Sequence, residues 1–309
     1  MSLIDTAALT RQRATHPEAI TQAWQDRRPA EPSQDGRLMI VAADHPARGM
    51  LGVRGNVTAM ASRADLLERL ATALCRPGVD GVLGTADILE DMLMSGLLDG
   101  KVVIGSINRG GLQGAAFEFD DRSTGYNAET IAANGLSGGK ILTRICLEDE
   151  NTARVLESTG ETVTALAKRG LMAIVEPFLS IRVAPDQTRN LLDPDSVIKS
   201  IQIATALGAI SAHTWLKLPV VPEMHRVLDA TTVPSLLLGG DPEGDPADTY
   251  RGWAEALTHP SAFGLVVGRT LLYPADDDVA AAVDIAATLV HGSPSGDVAD
   301  RQPPGSLAP

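Results

Sequence analysis

Eight times along this chain a short, almost wholly apolar run is followed by a stretch of helical period. The runs occupy residues 38–44, 78–84, 101–105, 140–146, 171–178, 213–220, 233–240 and 263–269. They do not alternate polar with apolar residues, so they suit strands covered on both faces, as in a parallel sheet. Parallel neighbours require a crossover. The intervening stretches supply it, with helices predicted over 64–75, 86–98, 128–133, 152–169, 195–207, 223–229, 247–257 and 279–290. Eight such units in 309 residues, somewhat more than the ~250 typical, predict an α/β protein built as a (β/α)8 TIM barrel. An open, doubly wound sheet is the rival. It usually holds fewer strands, and no Gly-x-Gly-x-x-Gly follows the first run to mark a dinucleotide site.

Three segments are expected. Residues 1–36 read as a helical extension on the outside of the barrel, with 17–24 its clearest helix and 29–36 a linker. Residues 37–292 form the barrel, and 293–309, rich in Pro, Gly and Ser, a disordered tail. The net charge of −13 argues against a nucleic-acid or anionic-membrane partner, since both favour a basic surface. No apolar run approaches the ~20 residues that span a bilayer, and the polar N-terminal stretch lacks a signal-peptide pattern. Cys75 and Cys146 form no close pair, which points away from a disulfide framework or a zinc site. The expectation is a soluble, cytoplasmic protein.

In a TIM barrel the chemistry gathers at the C-terminal ends of the strands. Polar residues that interrupt the apolar runs near those ends are therefore the candidates. They are Asp44 on the first strand, Lys140 and Arg144 on the fourth, Glu176 on the fifth and Lys217 on the sixth. Lys140 opens its run, which makes its placement sensitive to the strand boundary. Only five lysines stand against twenty-one arginines, and two of the five fall inside strands rather than on helix surfaces. A buried strand disfavours an ammonium group that lacks a partner. A lysine pushed toward neutrality is what imine formation with a carbonyl requires. Lys217 is accordingly assigned the nucleophile. Lys140 would act as a second cation that keeps Lys217 partly neutral, and Glu176 or Asp44 would carry protons. Salt bridges that tie strand ends together would explain each residue singly, Asp44 with Lys140 above all.

Strands seven and eight end in Gly239-Gly240 and Gly268-Arg269. Glycines let backbone N–H groups approach an anion, an arginine adds charge-assisted hydrogen bonds, and barrel phosphate sites commonly follow these two strands. A small phosphorylated carbonyl compound is the implied partner. His45 follows Asp44 and is expected at the mouth as a substrate contact or a loop residue.

These strand-end segments resemble the class I, Schiff-base aldolases of the family that spans deoxyribose-phosphate, tagatose-bisphosphate and bacterial or archaeal-type fructose-bisphosphate aldolases. The resemblance covers about 37–275, through Ala-Ala-Asp44-His-Pro-Ala-Arg-Gly, Gly-Gly-Lys140-Ile-Leu, Val-Glu176-Pro-Phe and the Lys217 strand. It implies a metal-independent, cofactor-free aldolase with an imine at Lys217, phosphate-binding positions at Gly239, Gly240, Gly268 and Arg269, and assembly into homo-oligomers. Phe178 stands near where some members carry a tyrosine acid, which throws that role to Glu176. Leu-Lys217-Leu-Pro differs from the strand-six wording of the deoxyribose-phosphate enzymes. The candidate substrates are a ketose bisphosphate, a deoxy-sugar phosphate, or the 5-dehydro-2-deoxyphosphogluconate of inositol breakdown, with transaldolase-like transfer a variant.

Two other readings remain: a phosphate-binding isomerase or decarboxylase in which Lys217 acts by charge alone, and a sugar-phosphate-binding barrel without catalysis. Residues 135–139 match Gly-x-Ser-x-Gly, but a strand follows rather than precedes them, so a glycine-rich turn is expected. The six histidines include no His-Glu-x-x-His. His213 is read as structural, and Asp276 to Asp278 as capping charge for the last helix.

Overall fold

The computed structural model describes residues 2–31, 35–240 and 244–292. Nine strands are present among them: β1 (Leu38–Ala42), β2 (Gly81–Gly84), β3 (Val102–Ser106), β4 (Gly138–Ile145), β5 (Met172–Ala184), β6 (Gln187–Asn190), β7 (Thr214–Pro219), β8 (Ser235–Leu238) and β9 (Ala262–Val267). Eight of them close a TIM barrel in the order β4-β3-β2-β1-β9-β8-β7-β5, with β5 returning to β4. Every pairing around the ring is parallel.

Alternation along each strand separates two cores. Leu38, Ile40, Ala42, Leu83, Ile104, Ile174, Leu236 and Val266 pack inside the ring. Their neighbours Met39, Val41, Val82, Val103, Ala173, Val175, Leu216, Leu237 and Leu265 join the core beneath the helices. Each fully buried aliphatic side chain contributes about 1.5–3 kcal/mol by leaving water. The same period determines where polar residues emerge. Two positions beyond Ala42, Ile104, Ile174 and Val266 stand Asp44, Ser106, Glu176 and Gly268. On β4, Ile141 joins the outer core, and Thr143 hydrogen-bonds Thr159 of the helix Asn151–Ala167 at 3.1 Å. Lys140, Leu142 and Arg144 therefore face inward.

Several elements differ from the sequence reading. The extension, read as helical with 17–24 its clearest helix, holds two helices, Thr6–Thr15 and Glu18–Asp26. The helix expected to reach 98 ends at Met94, where Gly96 adopts φ 73° and turns the chain. Gly138 and Gly139 belong to β4 instead of the expected turn, so Lys140 is the third strand residue and pairs in register with Ser106 and Ile174. A Cβ on Gly138 would lie 2.2 Å from the Met172 carbonyl oxygen, which is why glycine starts this strand. Arg269 does not end the eighth barrel strand but opens a four-residue helix, Arg269–Leu272. The largest departure is β5, which runs past 178 to Ala184 and folds back as the antiparallel β6. The expected tail at 293–309 and part of the linker lie outside the described residues. Asp278 caps the final helix, Val279–His291, as expected.

The N-terminal extension packs on the outside of the ring against the helix Ala86–Met94, with Trp24 buried in the outer core. At the opposite mouth of the barrel the Arg27 guanidinium donates to the carbonyls of Leu98, Lys101 and Gly135, ahead of β3 and β4, at 3.3, 3.2 and 2.5 Å. No helix among the described residues is long and apolar enough to cross a membrane.

Candidate active site

Four buried charges form one chain at the C-terminal mouth. Lys217 Nζ lies 3.2 Å from Glu176 Oε1, and Lys140 Nζ lies 3.2 Å from Glu176 Oε2. Lys140 Nζ also sits 2.7 Å from Asp44 Oδ2, which accepts a hydrogen bond from Ser106 Oγ at 3.2 Å. None of the four residues is more than 8% exposed. β1, β4, β5 and β7 each supply one, the Asp44 position falling two residues past the end of its strand.

The electrostatics follow from this order. Burial alone would raise the Asp44 carboxyl, but Lys140 and Lys217 outweigh it and hold the group far below the usual carboxylate range. Burial likewise opposes ionisation of Glu176, and the two lysines again prevail and lower it. Lys140 would be depressed by burial, yet two flanking carboxylates raise it above an ordinary lysine, so it is a fixed cation. Glu176 thus stands between the two lysines and separates them, where the sequence reading set Lys140 directly against Lys217.

A cavity of about 680 Å³ opens above the chain. Lys217 and Glu176 line it, whereas Lys140 and Asp44 lie beneath its wall. Gly239, Gly240, Gly268, Arg269, His45 and Arg144 also line it, so every expected binding residue faces one space. The glycines have packing reasons as well. A Cβ on Gly268 would sit 2.5 Å from the Ala42 carbonyl oxygen and 2.8 Å from the His45 ring. One on Gly239 would meet Val267 at 2.6 Å, while Gly240 adopts φ 66° with open space beside it. The His45 side chain, 3.9 Å from Asp44, is pushed down to about 3 by burial against the partial opposition of Asp44. It therefore faces the cavity as a neutral ring and contributes hydrogen bonding rather than charge.

Arg48, Glu118 and Asn190 escaped the sequence reading. Arg48 is the arginine of the segment Asp44-His-Pro-Ala-Arg and lines the cavity from a turn of 3-10 helix, His45–Arg48. Glu118 lies in the long segment after β3, which has no periodicity, and forms a buried ion pair with Arg144. Asn190 reaches the cavity from β6. The Pro185-Asp186 pair was the available sign of that hairpin. Among the described residues, no group of three or more His, Cys, Asp and Glu side chains is placed to hold a metal ion.

The fold and this chain of charges define a TIM barrel with a lysine–carboxylate centre at its C-terminal mouth. The Cgl0159-like family model matches residues 36–287, and the chain belongs to that family. The crystal structure of Cgl0159 from Corynebacterium glutamicum superposes with a TM-score of 0.91 at 53% identity, over 94% of this chain and 99% of that one. An archaeal fructose 1,6-bisphosphate aldolase matches with a TM-score of 0.62 at 19% identity, over 89% of this chain and all of its own. An archaeal fructose-1,6-bisphosphate aldolase with its catalytic Lys bound to the carbinolamine intermediate gives 0.61 at 19%, over 88% and 99%. At such identities the likeness shows the shared fold. Comparison with curated protein sequences gives no match.

Proposed function

We propose that this protein is a metal-independent class I aldolase that makes or breaks a C–C bond in a phosphorylated sugar or keto-sugar acid through an imine at Lys217. The observation that carries the reading is the placement of Glu176. It touches Lys217 at the cavity wall and Lys140 beneath it. That arrangement gives one lysine that meets solvent-borne carbonyl compounds and one that stays an ammonium ion. The fold shared with proteins named as Schiff-base aldolases supports it.

Glu176 takes a proton from the Lys217 ammonium group, and the free amine attacks the substrate carbonyl to give a carbinolamine. Glu176 returns the proton to the carbinolamine hydroxyl, which leaves as water, and the resulting iminium ion is the electron sink. The hydroxyl one carbon beyond the scissile bond gives its proton to Glu176, the C–C electrons flow to the imine nitrogen, and an aldehyde departs. The enamine is then protonated and hydrolysed by water, which regenerates the amine. Asp44, held ionised and below the cavity wall, fixes Lys140 rather than moving protons. Gly239, Gly240, Gly268 and Arg269 receive the phosphate.

The test is substrate-dependent inactivation by borohydride across a panel of phosphorylated ketoses and sugar acids, with retro-aldol products followed in parallel. Inactivation that requires both borohydride and a carbonyl substrate, with cleavage unaffected by chelators, is the expected result. A folded protein that borohydride never inactivates would overturn the reading and favour an imine-free isomerase or decarboxylase.

A further inference from the structure

Arg48 and Arg144 both line the cavity, at 9% and 8% exposure, and both converge on one oxygen of Glu118. Arg48 approaches Glu118 Oε1 at 3.6 Å, and Arg144 forms its ion pair with the same atom. The second oxygen, Oε2, accepts only a long contact of 3.4 Å from the Gly114 N–H. The Nε–H groups of Arg48 and Arg144 are buried with no acceptor. Two desolvated guanidinium groups thus converge on a single carboxylate oxygen beside an open cavity, with Glu176 and Asp44 attracting Arg48 only at longer range. Burial and the neighbouring Arg144 push Arg48 down to about 10, against the partial opposition of Glu118, Glu176 and Asp44. An arrangement of this kind is costly without an anion, because a buried charge is stable only when paired and hydrogen-bonded.

The strand order gives the site a direction. β4, which carries Arg144, lies four strands from β9 whichever way the ring is followed, and Arg269 follows β9. The two arginines therefore stand on opposite walls. β7, with Lys217, lies two strands from each. A substrate whose carbonyl reaches Lys217 and whose phosphate lies at the glycines near Arg269 would direct its other end toward Arg144. Arg48, which follows β1 beside β9, meets Arg144 there through its guanidinium at Glu118.

We infer that Arg48, Arg144 and Glu118 form a second anion-binding subsite, which selects substrates carrying an acidic group at the end remote from the first phosphate. Arginine forks hold carboxylate or phosphate through paired N–H donors, and Glu118 orients them. Asn190, whose Oδ1 accepts from Ser180 Oγ at 2.8 Å, lines the same cavity. This inference extends the aldolase reading by naming its substrate class, but it is tested without imine chemistry.

Calorimetric titration with carbonyl-free analogues separates the two: glucitol 6-phosphate as the singly anionic probe, with glucitol 1,6-bisphosphate and 6-phosphogluconate as the doubly anionic ones. The wild-type protein should bind at least one doubly anionic probe roughly tenfold or more tighter than glucitol 6-phosphate. The better of the two tells phosphate from carboxylate. Arg48→Gln and Arg144→Gln, each checked for cooperative thermal unfolding, should bring that ratio toward one. If one variant fails to fold, the other decides. No preference in the wild type, or a preference that survives in a folded variant, overturns the second subsite. Either outcome leaves the borohydride result to decide the aldolase reading by itself.

Discussion

The two mouths of this barrel both hold buried charge, and they use it differently. At the N-terminal mouth most of the charge ends on the backbone. Arg27 donates to four carbonyls, Lys101 Nζ donates to the Val79 carbonyl at 2.5 Å, and Asp80 accepts from the Met39 N–H at 2.6 Å as well as pairing with His291 at 2.9 Å. At the C-terminal mouth the charges end on one another, as Lys217, Glu176, Lys140 and Asp44, and the chain opens onto a cavity. A cation held on a carbonyl has no proton acceptor beside it, whereas Lys217 sits on a carboxylate at the wall of a cavity. The contrast separates charge that holds the fold together from charge available for chemistry.

Lys217→Met should break that contrast most severely. We expect loss of turnover by on the order of 10³-fold or more, as for other covalent nucleophiles, with cooperative unfolding retained. Normal turnover in this variant would move the chemistry elsewhere. Lys140→Met leaves Asp44 buried without its partner and should destabilise the protein by about 3–5 kcal/mol in denaturant titration. Adding Asp44→Leu should recover most of that loss without restoring activity, since an apolar pair replaces the ions. Failure to recover would mean that the two residues do not act as a pair. At the other mouth, Arg27→Met should lower stability by about 2 kcal/mol, because four carbonyls lose a donor, with kcat unchanged. A loss of kcat there would show that the mouths are coupled.

The pH response gives the smallest and most selective effect. Asp44 and Glu176 are depressed, so their contribution is present above the unfolded values near ~4 and is lost only as pH falls through the lower folded ones. Lys140 is raised, so its contribution is present below ~10.4 and is lost as pH rises through the higher folded value. The stability difference between wild type and the double variant Lys140→Met, Asp44→Leu, which leaves no unpaired carboxylate at that position, should therefore be flat from about pH 5 to 9. A slope between pH 6 and 8 would contradict the assignment of Lys140 as a fixed cation.

Much of this site was legible in the sequence because strand alternation is rigid. Once the apolar runs are strands of a barrel, Asp44, Glu176 and Lys217 can only emerge at one mouth. Lys140 required the structure, since two glycines that look like a turn are strand residues, Gly138 against the Met172 carbonyl and Gly139 against Ile107 and Ile131. Glu118 and Asn190 were hidden for a different reason. Their segments pack by tertiary contact rather than by a repeating pattern, so Arg144 could be assigned to the mouth while its partner could not. The hairpin β5–β6 shows no apolar-in, polar-out alternation to mark it as strands, since β6 holds no apolar residue and on β5 Ser180 is buried while Val183 is exposed.

The central claim is that Lys217 rather than Lys140 forms the imine, and adduct mapping tests it most directly. The protein is incubated with dihydroxyacetone phosphate and a panel of other carbonyl substrates under borohydride, digested, and the modified peptide sequenced by mass spectrometry. A reduced adduct on Lys217, absent from Lys217→Met, is the predicted result. An adduct on Lys140 instead would show that the lysine beneath the cavity wall is the nucleophile and contradict the account.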